Sequence, residues 1–151
     1  MANHLRFYIQ LLLDGKYQEA IHKMRKHIAK SDSSNYEDYR FLAIIYHTID
    51  DVENQEEVYK EIDRLQIQDH ADYYNDYAEL LIAQQRFSEA LTIIQRGIRQ
   101  HPTAEELFYT EAFIWYMTEE DIEGKNVNRA YNAINKAIRF YTQQDEFAYS
   151  S

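Results

Sequence analysis

A short sequence pattern recurs along this chain and restricts its fold more than any other feature. An aromatic or aliphatic residue stands three positions before an alanine and opens a helix-like apolar stretch at Tyr17, Phe87 and Val127. Tyr17 and Phe87 lie 70 positions apart, which is twice 35, and the midpoint between them falls on Val52. Val127 follows Phe87 by 40 positions. Such spacings are typical of repeated helix pairs, and the longer last interval indicates a short insertion.

The composition favours helices throughout. The 151 residues include three Gly and one Pro, whereas β-sandwiches and barrels need such turn residues every few positions.

The chain has no Cys, which excludes disulfides, thiolate nucleophiles and Cys-ligated zinc and fits a reducing compartment. The apolar stretch 7–13 is far shorter than the about 20 residues of a membrane span. We therefore expect one all-α domain over residues 1–151, with no signal peptide and a cytoplasmic location.

Residues 71–104 resemble one unit of the tetratricopeptide repeat family, whose repeat is a helix–turn–helix of about 34 residues. Ala78 and Ala90 are expected where the two helices touch, and Pro102 is expected to end the second helix near His101. The resemblance rests on nine positions that follow the family's order of large and small side chains: Tyr74, Tyr77, Ala78, Leu81, Phe87, Ala90, Ile94, Gly97 and Pro102.

Weaker copies extend this resemblance over nearly the whole chain. The first has Tyr8 where a small residue is usual, the second has Gln55 at the usual alanine, and the fourth has a longer loop at 119–126. The resemblance implies an all-α stack of about four helix pairs, an α–α superhelix. The units are predicted at about 1–34, 36–69, 71–104 and 105–142, followed by a tail at 143–151.

The charge is unevenly distributed. The chain has a net charge of −10, divided as +4 over residues 1–30, −16 over 31–123 and +2 over 124–151. Because nucleic-acid binding depends on Lys and Arg releasing counterions from phosphates, this balance argues against a nucleic-acid partner. A cluster of five cations in the first unit is interpreted as the solvated outer face of a repeat: Lys16, Lys23, Arg25, Lys26 and Lys30.

No constellation in the sequence indicates catalysis, a metal site or a cofactor. The six His form neither an HExxH motif nor a tight cluster with carboxylates, and the three Gly cannot supply a phosphate-binding loop. His47 lies near Asp50 and Asp51, and we interpret it as a helix-end histidine beside turn carboxylates. We expect a protein that is not an enzyme.

The resemblance also implies a concave surface, because in this family the first helix of each repeat faces the ligand. Asp72, Asp76 and Glu79 are spaced i, i+4, i+7 and should form one acidic line on a helix. This line opposes the acidic C-terminal tails that some members bind, and only Arg40 and Asn75 suit such tails. The predicted groove residues are Leu5, Ile9, Arg40, Phe41, Ile44, Asp72, Asn75, Asp76, Glu79, Tyr109, Phe113 and Tyr116.

We therefore interpret the chain as a non-catalytic protein-interaction module, an adaptor or small chaperone. Its partner should be a protein segment with hydrophobic anchors and Lys or Arg, held in an apolar, acid-striped groove. The alternative is a structural or oligomerisation subunit. It rests on the apolar side chains near the C-terminus (Phe140, Tyr141, Phe147 and Tyr149), which suggest a homodimer through that edge or a tail that folds back.

Overall fold

A computed structural model describes residues 2–30, 35–68, 70–118 and 125–150, and the side chains of 5–139 within these ranges. The described residues form helices and turns with no strand among them, so the predicted all-α fold of four helix pairs is confirmed. The helices are α1 (Ala2–Leu13), α2 (Tyr17–Lys30), α3 (Tyr36–Thr48), α4 (Val52–Leu65), α5 (Ala71–Ala83), α6 (Phe87–Gln100), α7 (Glu105–Met117) and α8 (Lys125–Ser150).

The turns inside the first three pairs repeat at the interval of 35 that the sequence predicts. Each turn has a left-handed residue two positions before the next helix: Gly15 at φ +73°, Asp50 at 57° and Gln85 at 61°. The second helix of each pair then begins at Tyr17, Val52 and Phe87 respectively. Glycine adopts this conformation without a steric cost, whereas Asp50 and Gln85 adopt it at a cost in strain.

The same backbone hydrogen bond closes all three turns. In each, an amide N–H reaches back five residues to a carbonyl of the preceding helix, as in the Schellman motif, and so satisfies an oxygen that the helix leaves unpaired. The pairs are Lys16 N to Leu11 O at 2.8 Å, Asp51 N to Tyr46 O at 2.9 Å and Arg86 N to Leu81 O at 2.9 Å.

The contacts divide the chain into two compact units, which the sequence did not indicate. The N-terminal unit comprises Met1–Asp69, with α1–α4, and the C-terminal unit comprises His70–Ser151, with α5–α8. Within each unit, the two helices of a pair pack against each other as a helix–turn–helix, and the second pair packs on the first.

Two irregular positions of the N-terminal unit are accommodated by hydrogen bonds. Tyr8 is buried, and its hydroxyl donates to the Lys23 carbonyl at 3.2 Å. Gln55, also buried, donates from Nε2 to the Tyr59 hydroxyl at 3.3 Å. Both large polar residues thus stay inside because a partner within the unit compensates for their lost hydration.

The core of the C-terminal unit depends on small residues where helices meet. Ala78 and Ala90 are fully buried, as the sequence predicts, and Gly97 of α6 lies directly against Tyr74 of α5. Helix α6 ends at Gln100, with His101 as its C-cap residue, just before Pro102. These small contacts let α5 and α6 approach closely.

Helix α8 packs through a row of alanines. Ala130, Ala133 and Ala137 are buried, and two of them form a cluster with Ala112 of α7. Residues 143–150, which the sequence analysis assigns to a tail, continue α8 as helix. Residues 119–124 of the predicted loop lie outside the described residues, and so do the side chains of Phe140, Tyr141, Phe147 and Tyr149, on which the predicted C-terminal edge depends.

Candidate functional site

The predicted acidic line lies on the accessible side of α5. Asp72 and Glu79 are exposed, while Asn75 and Asp76 are half-buried. The intervening residues Tyr73, Tyr74, Tyr77 and Ala78 are buried, because helical periodicity turns them toward the core of the C-terminal unit.

Helix α7 contributes the aromatic part of the site. Tyr109 is 46% exposed, Phe113 48% and Tyr116 72%, although all three have large apolar rings. Leu107, Phe108, Ala112 and Ile114 of the same helix are buried. Because α7 buries one set of apolar residues and exposes another, its exposed rings form an apolar patch on the surface of the C-terminal unit.

A cleft of about 360 Å³ lies between α5 and α7. Its apolar surface comes mainly from Ile82, Tyr109 and Phe113, and Glu79 places a carboxylate at its side. The cleft is large enough for one or two apolar side chains. It therefore combines a hydrophobic slot with a negative charge beside it, which suits an anchor residue flanked by a cation.

Polar contacts hold the two walls of the cleft together. The Thr110 hydroxyl of α7 donates to Asn75 Oδ1 of α5, and Asn75 Nδ2 donates to Glu79 Oε1 at 3.2 Å. These two linked hydrogen bonds orient the Glu79 carboxylate relative to Tyr109 and Phe113. An oriented carboxylate loses less entropy when it pairs with a ligand cation.

The cleft includes residues that the sequence analysis did not select. Ala83 and Thr110 line it together with the predicted Glu79, Tyr109 and Phe113. The repeat spacing held a signal for one of them, because Thr110 lies 35 positions after Asn75 and therefore occupies the equivalent place on its helix.

The remaining predicted groove residues lie in the N-terminal unit. Ile9 of α1 and Ile44 of α3 are 47% and 46% exposed, while Leu5, Arg40 and Phe41 are half-buried. The Phe41 ring lies 6.1 Å from the ring of the buried Tyr8. None of the twelve predicted groove residues is buried, but the predicted groove itself stays a prediction.

The opposite side of α7 carries an acid in an unfavourable environment. Burial raises the pKa of Glu111 above the usual 4.5, and the nearby Lys136 of α8 lowers it in part. About one turn further along α7, the guanidinium carbon of Arg129 lies 4.7 Å from the centroid of the Trp115 ring. The contact of Arg129 with Trp115 and the attraction between Glu111 and Lys136 both favour the packing of α8 on α7.

Two further properties of the described residues concern metal binding and membrane insertion. Among them, no group of three or more His, Asp or Glu side chains is arranged to bind a metal ion. Within the same ranges, no helix has the length and apolar character that crossing a membrane requires.

The chain matches the model of a known protein family. The family described as Mad3/BUB1 homology region 1 matches residues 8–98, which is more than half of the chain. A comparison with curated proteins gave no match. The matching family is thus a different one from the tetratricopeptide family that the sequence resembles, although the helix-pair fold which that resemblance implies is confirmed.

Solved structures with a similar fold include several of MamA. "Crystal structure of MamA" has 17% identity and a TM-score of 0.72, covering 94% of this chain and 78% of that chain. "Crystal structure of MamA protein" has 17% identity and a TM-score of 0.70, covering 95% and 74%. "MamA 41-end from Desulfovibrio magneticus RS-1" has 13% identity and a TM-score of 0.67, covering 89% and 72%. At these identities the likeness concerns the fold alone.

Proposed function

The chain belongs to the family of the Mad3/BUB1 homology region 1, and from that premise we propose that it is a non-catalytic protein-interaction module. It acts as an adaptor or small chaperone that holds a segment of a partner protein against α5 and α7. The observation that carries this proposal is the cleft of about 360 Å³, with Tyr109 and Phe113 on its wall and Glu79 beside it. A cytoplasmic location is part of the same proposal.

The chemistry of the cleft defines the segment that it would hold. Half-exposed aromatic rings gain most when an apolar side chain removes them from water, at about 25 cal/mol per Å² of buried apolar surface. Glu79 lines the cleft with these rings, and Asp76 and Asp72 continue the acidic line along α5. A segment with one or two hydrophobic anchors and nearby Lys or Arg matches both features.

The test begins with affinity purification from the native host and identification of the bound segment by mass spectrometry. Calorimetric titration of that segment then compares two variants with matched controls. Asp76→Lys should weaken binding about tenfold or more, and its control, Glu57→Lys at an exposed position of α4, should not. Phe113→Ala should weaken binding about tenfold, since it removes an interfacial aromatic ring, whereas Tyr131→Ala at an exposed position of α8 should leave it unchanged.

Electrostatics adds a kinetic signature. The association rate should fall as salt rises, because rim charges act mainly on the rate of encounter. If neither Asp76→Lys nor Phe113→Ala alters the affinity, the segment binds elsewhere and the proposal fails. Circular dichroism of each variant separates a loss of binding from a loss of folding.

One observation favours the alternative, a structural subunit that associates with itself. Helix α8 exposes four apolar residues at spacings of four, three and four, which is the pattern of a helix–helix seam: Val127, Tyr131, Ile134 and Ile138. For a self-associating protein, sedimentation at increasing concentration would show a defined oligomer that Tyr131→Ala dissociates. A monomer over this range, with intact segment binding, favours the adaptor.

A further inference from the structure

The cations around α2 divide between an inner and an outer side. Arg25 faces the interior of the N-terminal unit, where its Nη1 lies 3.0 Å from both carboxylate oxygens of Glu61 on α4. The lysines face the other way. We call the exposed set the lysine face, and it consists of Lys16, Lys23, Lys26 and Lys30.

Helical geometry aligns the lysine face. Positions 23, 26 and 30 are separated by three and four residues and so follow one line along α2. Helix α2, which begins one residue after Lys16 and ends at Lys30, is about 21 Å long at 1.5 Å per residue. Lys16, Lys26 and Lys30 are exposed, and the Lys23 side chain is 43% exposed.

One carboxylate already lies on this face. Glu19 Oε1 is 3.9 Å from Lys23 Nζ, and both side chains are largely exposed. Exposed pairs of this length contribute little to stability, so a carboxylate from a partner can replace Glu19 at small cost. The face keeps a net positive charge, within the +4 of residues 1–30, in a chain whose net charge is −10.

An apolar residue borders the lysine face. Phe7 of α1 is 51% exposed, and Lys23 Nζ lies 5.4 Å from the centroid of its ring. The ring is supported from below by the buried Tyr8, at 5.6 Å between centroids and 71° between planes. Because Tyr8 is itself hydrogen-bonded to the Lys23 carbonyl, Phe7 is held in place as a preformed anchor point.

From this arrangement we propose that the lysine face together with Phe7 is a second protein-docking surface, which binds an acidic helical segment of another protein. Carboxylates spaced three and four residues apart on such a helix match the spacing of the lysines, and one apolar side chain among them packs on Phe7. This surface belongs to the N-terminal unit and does not depend on the cleft of the C-terminal unit.

A narrow acidic helix suits this surface better than an extended anionic one. A membrane or a nucleic acid presents negative charge over distances longer than the Debye length of about 8–10 Å, and so repels the acidic remainder of the chain. Residues 31–123 alone have a charge of −16. A single helix confines its charge to the lysine face, where attraction exceeds repulsion.

The test uses the full chain and a designed probe. The probe is a fluorescein-labelled peptide of about 20 residues, made of Ala and Glu with one central Leu, with Glu repeated at three- and four-residue intervals. Its helicity is checked by circular dichroism, because like charges at these intervals weaken an isolated helix. Its control peptide has Gln in place of Glu. Fluorescence anisotropy should show binding of the Glu peptide at least tenfold tighter than of the Gln peptide, weakening severalfold between low and physiological salt.

Four variants then locate the binding. Lys26→Glu should reduce affinity for the Glu peptide about fivefold or more, whereas Lys60→Glu, an exposed lysine of α4 in the same unit, should change it less than twofold. Phe7→Ala should reduce it about threefold or more without a change in charge. Asp76→Lys in the C-terminal unit should have no effect, so this proposal and the proposed function fail separately.

Other outcomes would overturn the proposal. One is equal affinity for the Glu and Gln peptides, and another is an equal effect of Lys26→Glu and Lys60→Glu, which indicates attraction without a defined surface. A third is tighter binding to phosphatidylserine vesicles or to DNA than to the Glu peptide, lost in Lys26→Glu, which would assign the face to a membrane or to nucleic acid instead.

Discussion

Replacing Gly97 by alanine sets local helix propensity against tertiary packing. Gly97 lies in the interior of α6, where alanine is favoured over glycine by about 1 kcal/mol. A β-carbon at this position would lie 2.7 Å from Tyr74 Cγ and 2.8 Å from Tyr74 Cβ. Normal contacts between carbon atoms are about 3.5–4.0 Å, so the two atoms would overlap by almost 1 Å.

The overlap should outweigh the gain in propensity. Tyr74 is fully buried, its hydroxyl donates to Gln100 Oε1 at 2.5 Å, and the overlapping atoms are close to its backbone, so the ring has little freedom to move. Overpacking of this kind costs about 1–3 kcal/mol. Taking the upper value because two atoms overlap, and subtracting the propensity gain, gives a net loss of about 2 kcal/mol.

Thermal unfolding followed by far-ultraviolet circular dichroism measures this loss. For a chain of this length, about 2 kcal/mol corresponds to a decrease in Tm of roughly 4–8 °C. Thr92→Ala is a matched control, since Thr92 is exposed in the same helix and should gain a few tenths of a kcal/mol from propensity alone. If Gly97→Ala is as stable as the unchanged protein, α5 and α6 do not pack as closely as described.

Four further changes test other parts of the structure. Ala90→Arg forces a long charged side chain into a fully buried seam and should cost about 3 kcal/mol or more, and an unchanged Tm would contradict the repeat phase. Gln85→Gly relieves a positive φ of 61° and should raise stability by about 0.5–1 kcal/mol in urea titration. Burial raises the pKa of Glu111 in the folded state. The protonated Glu111 side chain therefore contributes its full stability below pH 4.5, and this contribution is lost as the pH rises through the folded-state pKa. Glu111→Gln should raise the Tm at pH 7 but not at pH 4. Arg25→Met removes the ion-pair partner of Glu61 and should cost about 1 kcal/mol, because both side chains are partly exposed, and more than Arg25→Met combined with Glu61→Gln, as a double-mutant cycle would show.

The sequence by itself determined the repeat and its phase. The interval of 35 residues identified Tyr17, Val52 and Phe87, which are the first residues of α2, α4 and α6. This was possible because the turn before each of these helices is a local feature that recurs in the sequence. Local pattern also predicts which side of a helix is buried. The small residue in the repeat pattern thus anticipated that Ala90 would lie inside. The expectation that Phe113 faces a groove came from the family resemblance instead.

Only the tertiary structure decided how the exceptions are accommodated and where a cleft forms. The sequence marks Tyr8 and Gln55 as departures from the repeat, but their hydrogen-bond partners depend on which helices meet. The contact from Thr110 to Asn75 joins residues 35 positions apart. The space between α5 and α7 likewise depends on the separation of two helix axes, which follows from every side chain packed between them and which no local pattern contains.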